Sequence, residues 1–173
     1  LKEIRKEEVK RATRILGVPQ EDLIFLDFVD RALANNEEKA EEKVTEILSK
    51  NHPIEVYFPY KRDGHPDHRA AYRIVRNSIR KSGISALTYQ YSISHKYARV
   101  GAIVDVFLNF LRLNMVRVDV SKFLLLKEAA IKEFKSELTA VSGRQHKCII
   151  NGVKKFLNSE EVFYIEKQEN AMK

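Results

Sequence analysis

The segment Asp63-Gly64-His65-Pro66-Asp67-His68 holds the residues best suited to chemistry in this chain. Two histidines three positions apart fall on one side of a helical turn. Pro66 suits the first helical position, because its φ is already set and its missing N–H would have no intrahelical partner. Asp67 is favoured in a first turn by the helix dipole, and Gly64 permits a tight entry. His65 and His68 are therefore expected to project together at a helix N-terminus. Neutral imidazole is a good zinc ligand, and a carboxylate beside a histidine fixes its tautomer and raises its basicity. Asp67 could do this for His65. A metal and a second histidine make a kit for hydrolysis. The metal lowers the pKa of bound water toward ~7, and an imidazolium stabilises an oxyanion or protonates a leaving group. The same spacing also fits two surface histidines, and two imidazoles do not complete a zinc site, which in enzymes usually takes ~3 protein ligands. Of the other histidines, His52 reads as a loop residue and His95, beyond a strand, could line a pocket. His146 and Cys148 are a weak pair in a polar loop.

The elements around this segment follow from periodicity. Ile4, Val9, Ala12, Ile15 and Leu16 approximate one apolar helix face, stopped by Gly17 with Pro19 beyond it. Leu23 to Leu26 predicts a short buried strand, and Asn35 to Lys50 a helix. Pro53 to Pro59 predicts the next strand, rich in β-favouring side chains. A polar loop from Tyr60 to Gly64 leads into a helix from Pro66 to about Lys81, closed by Gly83. Leu87 to Ile93 reads as a strand, Gly101 to Leu113 as an amphipathic helix, and Val116 to Val120 as an alternating strand. Ser121 is expected to cap a helix running to about Leu138. Ser142 to Asn158 is loop-like, and Val162 to Ile165 is the last strand. Strands alternating with long helices predict an α/β domain with a mostly parallel sheet. Ligands in such sheets sit at the carboxyl ends of strands, where Tyr60 to His68 lies.

The chain's 173 residues suit one domain with an ordinary core. With 6 Gly, 4 Pro and 44% apolar residues, collagen-like and disordered classes are excluded. The single cysteine, Cys148, excludes an internal disulfide and points to a reducing, cytoplasmic compartment. No signal peptide is expected from the charged start. The most apolar stretch, Val100 to Val120, is broken by Asp105, Asn109, Arg112, Arg117 and Asp119, so no membrane span is expected.

The run Asp63 to Ala71 resembles the second signature of the LmbE-like, or N-acetylglucosaminyl-phosphatidylinositol de-N-acetylase, family. Weaker similarities follow in order: the Arg5 to Val18 helix, Leu26-Asp27-Phe28-Val29-Asp30, Val118-Asp119-Val120-Ser121 with Lys127, Ala130, Phe134 and Ser136, and Glu161-Val162-Phe163. The resemblance implies a Rossmann-like three-layer α/β fold and a zinc-dependent amidase acting on an N-acetylglucosamine-type sugar, free, lipid-linked or oligomeric. It implies that His68 ligates Zn2+, that His65 stabilises the oxyanion or acts as general acid, and that Asp67 tunes His65. Asp63 and Arg69 are the candidates for substrate contact. The family's first signature, Ala-His-Pro-Asp-Asp-Glu, supplies two further ligands and a general base, and it is absent from these residues. The expectation is therefore one deacetylase domain over residues 1–173 that is N-terminally incomplete, lacking its first strand. Ser136-Glu137 stands where the family often has Ser-Gln.

A different class of function competes with this reading. The net charge is +7, and Arg69, Arg73, Arg76 and Arg80 form a basic stripe along the helix that begins at Pro66. Such a stripe could bind nucleic acid or an acidic ligand in a non-catalytic binding or assembly module. The solvated outer face is the better reading of the stripe, and nucleic acid is not the expected partner. Tyr57, Tyr60, Tyr89 and Tyr91 are the candidate stacking residues, although three of them sit in or beside strands, where core or pocket roles fit better. A homo-oligomer is compatible with the sequence.

Overall fold

The computed structural model describes residues 1–93, 115–138 and 153–165. The chain divides into two compact units, Leu1–Phe25 with Val118–Glu161, and Leu26–Arg117 with Val162–Lys173. The expected helix Gly101 to Leu113, and most of the segment Ser142 to Asn158, lie outside the described residues.

The second unit carries His65 and His68. Its elements are α2 (Glu37–Asn51), β1 (Glu55–Pro59), α3 (Pro66–Ser82) and β2 (Leu87–Tyr91). β1 and β2 pair in parallel with Tyr57 opposite Tyr89 and Phe58 opposite Gln90, so α3 is the crossover that parallel neighbours require. Two further strands are β3 (Met115–Asp119) and β4 (Glu160–Ile165), and the order across the sheet is β1-β2-β4-β3. β2 and β4 are antiparallel. The structure is thus α/β, as expected, but its sheet is mixed where a mostly parallel one was predicted.

Strand alternation divides the sheet into two faces. Phe58, Thr88 and Gln90 are buried on one. On the other, Tyr57 stacks on Tyr89 at 4.8 Å between centroids, and Phe163 meets Tyr57 edge-on at 5.4 Å. α3 packs against α2 through small residues. Ala40, Ala70 and Ile74 form one cluster, and Leu48, Phe58 and Ile79 form the next. With Ala70 and Ser78 fully buried, the two helices approach closely, and the Ser78 hydroxyl donates to the Glu41 carbonyl at 3.1 Å. Gly83 ends α3 with φ +67°, a left-handed conformation that glycine adopts without steric penalty.

The first unit brings α1 (Lys2–Ile15) against α4 (Leu124–Lys132) and α5 (Lys135–Leu138). Its centre is a buried carboxylate. Glu8 is 1% exposed; its Oε1 accepts the Ser136 N–H at 2.8 Å and its Oε2 accepts the Ser136 hydroxyl at 2.6 Å. This explains why the expected single helix from Ser121 to Leu138 is interrupted. The helix breaks after Lys132 and restarts at Lys135, which places the Ser136 N–H in a first turn, where Glu8 can take it. Ser121 is not a side-chain cap; a short 3-10 turn, Ser121–Phe123, precedes α4, and Asp119 Oδ1 accepts the Ser121 N–H. The predicted strand Leu23 to Leu26 also does not form. Ile24 is 57% exposed, and Asp27 turns the backbone into the left-handed region at φ +61°. Among the described residues no helix is long and apolar enough to cross a membrane.

Two outcomes are expected for stability. Glu8→Ala removes both bonds to Ser136 from a buried site, and urea denaturation should show a loss of about 2–3 kcal/mol. Glu41 is held below the ordinary carboxylate range, chiefly by its bonds from Lys81 and Asn77. A lowered folded-state pKa contributes stability at neutral pH that is lost on acidification. Denaturation midpoints should therefore fall as pH drops below about 4 to 5, and Glu41→Gln should flatten that dependence.

Candidate active site

The loop from Tyr60 to His65 is pinned to the carboxyl end of β2. Tyr60 N–H donates to the Tyr91 carbonyl at 2.8 Å, Lys61 N–H to Gln90 Oε1 at 3.2 Å, and Asp63 N–H back to the Tyr60 carbonyl at 3.0 Å. The Asp63 side chain has no exposed area. Its Oδ1 accepts from the His65 N–H at 2.9 Å and from His68 Nδ1 at 2.9 Å, and its Oδ2 accepts from the Ile93 N–H at 3.0 Å. Arg69 clamps the same turn from outside, donating from Nη1 to the carbonyls of Asp63 (2.8 Å) and Gly64 (3.0 Å).

These bonds set the histidine tautomers. An ionised carboxylate is an acceptor only, so neutral His68 carries its proton on Nδ1 and its lone pair on Nε2. His65 is the N-cap of α3, with extended backbone at φ −87° and ψ 135°, and its Nδ1 accepts from the Asp67 N–H at 3.2 Å. Neutral His65 therefore carries its proton on Nε2. The two rings lie 4.7 Å apart between centroids at an interplanar angle of 40°. Side by side, one imidazole offers an N–H donor and the other a lone pair.

Both histidines are partly exposed at the end of the parallel β1–β2 pair, as the strand-end rule predicted. The carboxylates are arranged differently from the sequence-based expectation. The carboxylate on a histidine ring is that of Asp63, acting on His68. Asp67 faces away from His65: its Oδ2 accepts the Arg31 N–H at 2.6 Å and its Oδ1 the Leu33 N–H at 3.3 Å. Asp63, expected to touch substrate, is sealed from solvent and acts through His68. Arg69, the other expected contact, spends its Nη1 on loop carbonyls. Arg31, Leu33, Gln90 and Ile93 hold the site from afar, and no local pattern marks them. Burial pushes the Tyr91 phenol up, and the nearby Asp63 carboxylate adds to this.

Arg73, Arg76 and Arg80 of the basic stripe are exposed. Arg73 bonds Glu37 and Arg80 bonds Asn77, while Arg69 serves the turn. Tyr60 is buried against Tyr164. His52 ends α2 in a left-handed cap at φ 44°. His95, His146 and Cys148 lie outside the described residues. Among the described residues no three His, Cys, Asp or Glu side chains stand together as a metal cluster. His68 fits a metal through its Nε2 lone pair and carboxylate-held Nδ1, as one ligand of a larger set.

Two comparisons with known proteins bear on this site. In fold, the chain is similar to the crystal structure of the conserved protein TT1542 from Thermus thermophilus, with a TM-score of 0.61 and 23% identity over 99% of this chain and 76% of that one. The family model described as PIG-L: GlcNAc-PI de-N-acetylase matches residues 1–79. Those residues include both histidines, Asp63 and Asp67.

Proposed function

We propose that the protein is a zinc-dependent de-N-acetylase that hydrolyses the N-acetyl group of an N-acetylglucosamine-type sugar in the cytoplasm. The observation that carries this reading is the pair of imidazoles 4.7 Å apart between centroids, in which the partners of the two Nδ1 atoms leave His65 an Nε2–H and His68 an Nε2 lone pair. The PIG-L match over the same residues supports the reaction class.

His68 would hold a metal through its Nε2 lone pair. Asp63, on the far side of that ring, keeps the lone pair outward and makes it a better donor. When bound, zinc supplies a Lewis acid and a water acidic enough to attack at neutral pH. His65 presents Nε2–H to the amide carbonyl oxygen as negative charge grows there, which is oxyanion stabilisation by a preorganised donor. To act instead as general acid, it would first have to give up the bond from the Asp67 N–H, because both nitrogens of an imidazolium donate. Water adds to the carbonyl carbon, the C–N bond breaks, and acetate and the free amine result. The Asp67 backbone N–H keeps His65 in the donor tautomer.

On the full natural polypeptide, elemental analysis should find about one zinc per chain, lost in His68→Ala. His65→Ala should keep the metal and lower turnover by about 10²–10⁴-fold in an amine-release assay on N-acetylglucosamine derivatives. Zinc and full activity retained in both variants would overturn the assignment.

A further inference from the structure

Asp67 joins the histidine pair to a strained loop. Val29 to Ala32 form a turn closed by the Ala32 N–H on the Val29 carbonyl at 3.1 Å. Its third residue, Arg31, has φ +62°, a position that glycine or asparagine usually fills. An L side chain there costs about 1–2 kcal/mol. Asp27, four residues earlier, is left-handed as well at φ +61°. The left-handed turn at Arg31 needs something to hold it. The Arg31 side chain does not, because it is exposed and makes no polar contact among the described residues. The holder is the Asp67 carboxylate, with one oxygen on the Arg31 N–H and the other on the Leu33 N–H. Charge-assisted bonds of this kind are strong enough to offset the strain.

Asp67 thus faces two ways. Its backbone N–H sets the tautomer of His65, and its carboxylate sets the loop. We propose that Asp67 is a positioning residue whose carboxylate locks the 27–33 loop beside the histidine pair, making that loop a preorganised wall of the substrate site. The kinetic part rests on the de-N-acetylase reading; the anchor itself does not.

Asp67→Ala separates the two roles, because it removes the carboxylate and keeps the backbone N–H on His65. Substrate must then order the loop as it binds, so KM should rise about ten-fold while kcat falls by less than about threefold. Arg31→Gly in the same background should bring KM back toward the starting value, since glycine takes the left-handed turn unaided. Hydrogen exchange, read by mass spectrometry on the full chain, tests the anchor without any turnover. In Asp67→Ala the amides of residues 31 and 33 should exchange about ten-fold faster or more, with α3 still protected as the check on folding. Unchanged exchange at those amides would overturn the anchor. A kcat loss of about 10²-fold at constant KM would place the carboxylate's effect on His65 and overturn the positioning role. If the unaltered protein releases no amine from any N-acetyl sugar, the de-N-acetylase reading fails, and the exchange result still decides the anchor.

Discussion

The Asp63 carboxylate is the interaction on which the rest of the site depends. It is sealed from solvent, and a charge in that position is tolerated only when donors surround it. Here the donors are the His65 and Ile93 backbone amides and the His68 ring. Each bond has a structural consequence. The His65 amide starts the turn into α3, the Ile93 amide ties the segment beyond β2 to that turn, and the His68 bond orients an imidazole. One buried charge therefore sets the loop, the helix entry and a tautomer together.

The scaffold works because its supports are rigid and close. Ala40 and Ala70 let α2 lie against α3, and Phe58 anchors the strand that leads into the loop. Glu8 plays a comparable part in the other unit, where a buried carboxylate joins α1 to Ser136. In both units a carboxylate satisfied by distant backbone amides does what apolar packing alone does not: it specifies one register of one segment against another. By contrast, exposed pairs such as Lys10 with Glu7 add little, because water screens them.

Much of this was legible along the chain. Helices at Lys2–Ile15, Glu37–Asn51 and Pro66–Ser82 were marked by apolar period and by Gly17, Pro66 and Gly83. The strands at Glu55–Pro59 and Leu87–Tyr91 were marked by β-favouring residues. The failures have one cause. Leu23 to Leu26 looks like a strand, but a strand exists only where a neighbour pairs with it, and Asp27 turns the chain away. The stretch after Ser121 looks like one helix, but Glu8, 128 residues from Ser136, captures a backbone amide that an unbroken helix would have used itself. The antiparallel pairing of β2 with β4 is likewise a contact between segments far apart in sequence.

Consecutive residues are enough to place two histidines at the start of a helix, after a strand, with carboxylates nearby. Spacing, proline geometry and the glycine turn are local properties, and local properties are written in consecutive residues. Which carboxylate serves which ring is settled by the folded arrangement. Asp67 is adjacent to His68 and two residues from His65, yet its oxygens belong to Arg31 and Leu33, and the ring that receives a carboxylate is His68, from Asp63 five residues away. A hydrogen bond depends on where atoms lie to within a few tenths of an ångström, and those positions are set by packing among segments that the order of residues keeps apart.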